Sequence, residues 1–226
     1  MKKRTVVIGA LVSLLPIGQP LVIGTGVVLA SAGVMLSVPE KVNAESATFY
    51  IEKGNKNYYK NDYYGAISDY TKAIEIDPNN ASAYYNRGLS KKLIKDYYGA
   101  ISDYTKAIEI NPQFSDAYRD RAVSKKILKD YYGAISDYTK AIEINPNDYM
   151  AYFNRGNDKS DLKDYYGAIS DYTKAIEINP NNYQAYGNRG IAKEKIGDLK
   201  GACDDWKQTD SLSPNTPAAK WIRDQC

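Results

Sequence analysis

The stretch Asp62-Tyr63-Tyr64-Gly65-Ala66-Ile67-Ser68-Asp69-Tyr70-Thr71-Lys72-Ala73-Ile74-Glu75-Ile76 occurs four times without a change, starting at Asp62, Asp96, Asp130 and Asp164. Each start lies 34 residues after the last, and a degenerate fifth copy opens at Asp198. Pro78, Pro112, Pro146, Pro180 and Pro214 keep the same step. Five units therefore tile 47–80, 81–114, 115–148, 149–182 and 183–216, with a tail at 217–226. A fixed period of this length marks a solenoid, because one such unit cannot bury its apolar face alone and stacked copies share a continuous core.

Each unit reads as two helices. Over Tyr97–Ile110 the residues Ala100, Ile101, Tyr104, Ala107 and Ile108 fall at i, i+1, i+4, i+7 and i+8, the stripe of a helix with one buried face. Asp96 stands where an N-cap is favourable, and Asn111-Pro112 ends the helix because proline disfavours helical backbone at the residue before it. The first helix is expected over Ala83–Ile94, with Tyr84, Gly88, Ser90 and Ile94 facing inward. The fold expected is all-α, an α-solenoid of stacked antiparallel helix pairs.

These positions resemble the tetratricopeptide repeat (TPR), whose spacing of aromatic, small and proline positions is met by Tyr84, Gly88, Ala100, Tyr104, Ala107 and Pro112 and by their counterparts throughout 47–216. Arg87 replaces the usual leucine and Lys91 the second aromatic, and both departures recur in nearly every unit. Arg87, Arg121, Arg155 and Arg189 recur with Asp103, Asp137, Asp171 and Asp205, as Lys53 does with Asp69, which predicts ion pairs between the two helices of a unit. The resemblance implies a right-handed superhelix of an exported bacterial type. It also implies a final helix at 217–226 that caps the array through Trp221 and Ile222, and a non-catalytic role in protein binding.

In TPR proteins the first helices line the concave groove. Here they vary between units while the second helices stay nearly constant, as expected if the second helices are held by packing and the first are free to meet a partner. The groove set is then Ile51 and Asn55 in the first unit, and Tyr85, Asn86 and Leu89 in the second. Arg119, Asp120 and Val123 follow, then Phe153, Asn154 and Asn157, and finally Asn188 and Ile191. Aromatic and aliphatic groups beside amides suit a peptide or protein segment; drift of exposed residues after duplication is the plainer reading. A carboxylate clamp of the chaperone-binding kind lacks its cations. Ile51 and Phe153 stand where lysine is needed, and Asp116 and Asp120 occupy the basic places of the third unit.

Composition narrows the alternatives. There is no histidine, so the commonest general base and metal ligand are missing, and two cysteines cannot make a zinc site. No cofactor or small-molecule substrate is expected. Residues 1–44 carry four basic groups and one acid, and the remainder holds 26 of each sign. The paired tyrosines at the head of each second helix therefore have no basic track for nucleic acid beside them, and one ring in with one ring out is expected.

The N-terminus reads as a targeting segment: Lys2, Lys3 and Arg4, an apolar run, then Val42-Asn43-Ala44 as a small-residue cleavage motif before Glu45. The alternative is a retained anchor, since residues 21–38 are uncharged and long enough to span a bilayer. Either way the repeats cross to the outer side. Self-association by end-to-end stacking is the second functional reading. If α-helices flank Ser213–Thr216 as an antiparallel pair, Cys203 and Cys226 lie level, like Ile101 and Ser124 of earlier units, and a disulfide is expected in an oxidising compartment. Two small buried thiols are the alternative.

Overall fold

The protein is described from a computed structural model, for residues 22–23, 27–29, 35–37, 46–214 and 216–226. It divides into two units, 1–45 and Ser46–Cys226. In the first, Val22–Ile23 (β1), Val27–Leu29 (β2) and Met35–Ser37 (β3) pair antiparallel, with Val22 opposite Val28 and Val28 opposite Leu36. The described parts of 21–38 are thus extended; the rest of the targeting segment at 1–44 lies outside the described residues. Among the described residues no helix is long and apolar enough to cross a membrane.

The second unit is all-α. Its helix pairs are α1 (Ala47–Tyr59) with α2 (Tyr63–Ile76), α3 (Ala81–Leu93) with α4 (Tyr97–Ile110), and α5 (Ser115–Ile127) with α6 (Tyr131–Ile144). They continue with α7 (Tyr149–Asp161) and α8 (Tyr165–Ile178), then α9 (Tyr183–Lys195) and α10 (Leu199–Leu212), and α11 (Ala218–Gln225) closes the chain. The first helix of the second repeat, α3, starts at Ala81, two residues before the Ala83 expected from the sequence. The cause is Asn80, whose side chain accepts from the Ala83 amide at 3.0 Å and so caps the helix earlier.

The turn inside each unit takes three residues, 94–96 in the second repeat. Lys95 adopts φ 65°, and its N–H reaches the Lys92 carbonyl at 3.0 Å while Asp96 N–H reaches Lys91 at 2.9 Å. This is a Schellman stop. Asp96 then caps the next helix, accepting from Gly99 N–H at 2.9 Å. One residue thus closes α3 and opens α4.

Packing follows from small residues at the helix crossings. Ala66, Ala73 and Ala83 are fully buried, as are the alanines at their places in later units. A Cβ placed on Gly88 would sit 2.7 Å from the Tyr104 ring, so the bare backbone of the first helix is what admits the tyrosine. Tyr84 and Tyr118 pack against alanines and isoleucines contributed by two adjacent units. At the C-terminal end Trp221 and Ile222 of α11 cover Trp206 and Ala202. Cys203 is bonded to Cys226 there, with Cα atoms 5.8 Å apart.

The two departures from the family pattern form one cluster. Arg87 grips Asp103 with Nε at 2.9 Å and Nη2 at 2.7 Å, and Lys91 adds its ammonium at 2.8 Å. The remaining arm of Arg87 donates to Thr71 of the preceding unit at 3.1 Å, and the guanidinium lies 5.5 Å from the Tyr84 ring centre. The same set recurs around Asp137, Asp171 and Asp205. In the first unit Lys53 and Asn57 serve Asp69. The aspartates are almost wholly buried, Asp137 being 4% exposed, whereas the cations keep an edge in water. Removing the acid therefore strands two cations, while removing the arginine leaves Lys125 on Asp137. Asp137→Leu should cost about 3–5 kcal/mol in urea unfolding, and Arg121→Leu about 1–2 kcal/mol; equal losses would contradict this division.

Candidate binding groove

Successive first helices touch one another, α1 with α3, α3 with α5, α5 with α7 and α7 with α9, and no comparable contact joins successive second helices in the described residues. The first helices therefore lie on the inner, compressed side of the stack, and their exposed edges form its groove.

The groove floor is built by a polar atom from beneath. In the first unit the Tyr70 hydroxyl donates to Asn55 Oδ1 at 2.7 Å, and Asn86 of the next unit donates to the same oxygen at 3.3 Å. The fourth unit repeats this: Tyr172 and Asn188 both donate to Asn157 Oδ1 at 2.8 Å. Among the described residues neither Asn55 nor Asn157 spends its own side-chain N–H groups on a hydrogen bond. Both residues line clefts, that around Asn157 enclosing about 290 Å³ between Lys126, Ser160, Asp161, Tyr172, Asn188 and Ile191.

In the other units the acceptor is replaced by an aliphatic residue. Leu89, Val123 and Ile191 stand at the repeat position of Asn55. In those same units the buried head group, Tyr104 OH, Tyr138 OH or Trp206 Nε1, has no partner. Burial pushes the Tyr104 and Tyr138 hydroxyls far up, and the charges of Asp120, and for Tyr138 also Asp158, push the same way. A buried donor without an acceptor costs about 1–3 kcal/mol.

The remaining expected groove residues divide by role. Tyr85 donates to Asp120 Oδ2 at 2.9 Å and packs on Tyr104 and Phe114. Asp120 is also paired with Lys92. Arg119 reaches across to Asp148, the cap of α7, at 2.6 Å and to Asp116 at 2.8 Å. Arg119 and Asp120 thus hold neighbouring units together and are not free charges for a ligand. Phe153 packs on Tyr172 with ring centres 6.0 Å apart, and Ile51 and Val123 join the core clusters of their units. Tyr85 and Phe153 are accordingly as much core as groove. Asn154 lines a further cleft with Phe153, Tyr183 and Gln184.

Sequence reasoning missed Lys92, Lys126, Ser160 and Asp161 on the groove wall, which lie one helical turn beyond the chosen columns. It also missed Asp158. That residue is 0% exposed, at a place held by Ser90 and Ser124 in the preceding units and Ala192 in the next. Lys126 lies 2.7 Å from its Oδ1, too poorly aligned for a directed hydrogen bond. Burial raises the Asp158 pKa, opposed by Lys126 and reinforced by the charge of Asp161.

These features define an α-solenoid with an apolar and amide-lined groove whose charges are internally paired. Models of the tetratricopeptide repeat match residues 54–92, 81–114, 116–148, 149–182 and 171–204, and the chain belongs to that family. No curated protein matches it by sequence. Among solved structures, MamA protein is similar with a TM-score of 0.71 at 27% identity, over 78% of this chain and 96% of that one. YrrB, a TPR protein with an unusual peptide-binding site, gives 0.70 at 23% identity, over 81% and 94%. The first TPR of Spaghetti (RPAP3), bound to the HSP90 peptide SRMEEVD, gives 0.52 at 29% identity, over 53% and 95%.

Two stability measurements follow. Val123→Asn would place an acceptor beside Tyr138 and Asn154, the set found in the first and fourth units, and should raise stability by about 1 kcal/mol; a lower urea midpoint would contradict the assignment. Asp158→Ser should also stabilise, by an amount that depends on pH. Because the folded-state pKa of Asp158 lies above the unfolded one, the native chain holds the extra proton between the two values, and its stability falls as pH rises through that window. The gain from Asp158→Ser should therefore grow from acid pH upward and level off above the raised pKa; a gain independent of pH would show that the carboxylate charge is not the cause.

Proposed function

We propose that the protein is a non-enzymatic interaction scaffold whose groove holds a neutral peptide segment of mixed apolar and amide character. The observation that carries this reading is the correlation on the groove floor: each unit with an aliphatic residue at the Asn55 position leaves a buried donor unpaired. A free energy cost taken three times is expected where the apolar surface serves binding. Lys92, Arg119 and Lys126 are already engaged by Asp120, Asp116, Asp148 and Asp158, which leaves no ready partner for an acidic peptide. The HSP90 peptide SRMEEVD held by the first TPR of Spaghetti is acidic, so a different ligand chemistry is expected here. Apolar floor positions give affinity, and the unspent amides of Asn55 and Asn157 can bond a ligand backbone.

End-to-end stacking of copies is the weaker reading. Entry of a neighbour requires the fully buried alanine of Ala83, Ala117, Ala151 and Ala185, where the first unit carries Phe49. The other end is covered by α11. We further place the repeats outside the cytoplasmic membrane, supported by the basic and apolar leader with its cleavage motif and by the Cys203–Cys226 bond.

Selection from a randomised peptide library tests the groove. Wild type should enrich neutral, apolar peptides, and the Leu89→Asn/Val123→Asn variant should lose them while remaining at least as stable to urea. Because the variant supplies acceptors to Tyr104 and Tyr138, unfolding would not account for the loss. Equal enrichment by both proteins, or none by wild type, would refute the proposal.

A further inference from the structure

The uniformity of the second helices is not all packing. Of the repeated stretch, Tyr64, Ser68, Lys72 and Glu75 are exposed and lie along one outward stripe of α2, at spacings of four, four and three residues. The same four residue types recur at the same places on α4, α6 and α8. Tyr64, Tyr98, Tyr132 and Tyr166 are 74%, 76%, 77% and 74% exposed. Exposed positions on the first helices have diverged between these same units, so duplication alone does not account for the outward identity. Helix capping explains the repeated Asp62, and an i,i+3 pair at 2.6 Å explains Lys106 with Glu109. Neither explains the tyrosine.

We propose that this outward stripe is a self-docking surface through which two copies of the chain pair side by side. The period is the first argument. A second copy presents the same four tyrosines at the same spacing, so a two-fold operator sets Tyr64 against the partner's Tyr166 and Tyr98 against the partner's Tyr132. Charge is the second. Each stripe carries lysine and glutamate in equal number, so two copies do not repel, and the pairs can exchange across the contact. Area is the third. Four largely exposed tyrosines contribute roughly 600 Å² per copy, with Ser, Lys and Glu adding to it, against about 800 Å² per partner for a standard interface. Tyrosine is also the residue type enriched in such contacts. The stripe ends with the fourth unit: the fifth carries Lys200 and Asp204 in place of tyrosine and serine, both exposed.

The fifth unit supplies the test substitution, because Lys200 occupies the tyrosine position on an intact helix. Sedimentation equilibrium of the full chain should show a dimer forming with concentration. Tyr98→Lys/Tyr132→Lys should weaken it by roughly tenfold or more, and Tyr64→Lys/Tyr166→Lys, at the outer ends of the stripe, should weaken it less. Leu89→Asn/Val123→Asn, in the groove, should leave it unchanged. A wild type that stays monomeric would overturn the proposal. So would association that the tyrosine variants do not weaken.

Discussion

The structure depends on an aromatic ring from each second helix packing against a small residue of the first. Gly54, Gly88, Gly156 and Gly190 meet the rings of Tyr70, Tyr104, Tyr172 and Trp206, and in the third unit Ala122 takes the glycine's place beside Tyr138. The contact sets how closely the two helices of a unit approach, and so sets the pitch of the stack. It also carries a polar atom through the helix pair to the floor of the groove. The identity of a single first-helix residue then decides what becomes of that atom. Asparagine turns it into a hydrogen bond that joins two units, and an aliphatic residue leaves it unpaired beneath an apolar surface.

A second constraint is charge. The Arg, Lys and Asp cluster replaces apolar packing that the family pattern would supply, and its third arm ties each unit to the one before it. Burying a carboxylate is tolerable because two cations and their hydrogen bonds meet it, and the cations stay wet at one edge. The same economy runs along the groove wall, where Arg119 with Asp148 and Lys92 with Asp120 close the charges on themselves. The surfaces left over are neutral, amide-rich inside and tyrosine-rich outside.

Much of this was legible in the sequence, because the chain aligns with itself. The 34-residue step, the apolar stripe of Tyr97–Ile110 and the Asp96 cap need only local rules, and the structure agrees with them. The ion pairs of Arg87 and its counterparts could be read from their recurrence with aspartate sixteen residues on. Other features depend on which neighbour a side chain meets. Asn80 caps α3 through its side chain, which the helical period does not register. Arg119 and Asp120 sit in groove columns but are spent on Asp148 and Lys92, partners 29 and 28 residues away. Of each tyrosine pair the sequence predicts one ring out, and Tyr98 and its counterparts are that exposed ring, so packing does not explain their constancy. The helical period does not register Asp158, although the small residues at its place in other units, Ser90, Ser124 and Ala192, mark the position as buried.

The central claim is that ligand recognition belongs to the inner face of the first helices. A crystal structure of the repeats with a library-selected peptide tests it most directly. The account predicts the peptide along the first helices, with apolar side chains over Leu89 and Val123 and its backbone bonded to Asn55 or Asn157. A peptide seated instead on the outward face of α4 and α6, with the groove empty, would contradict it.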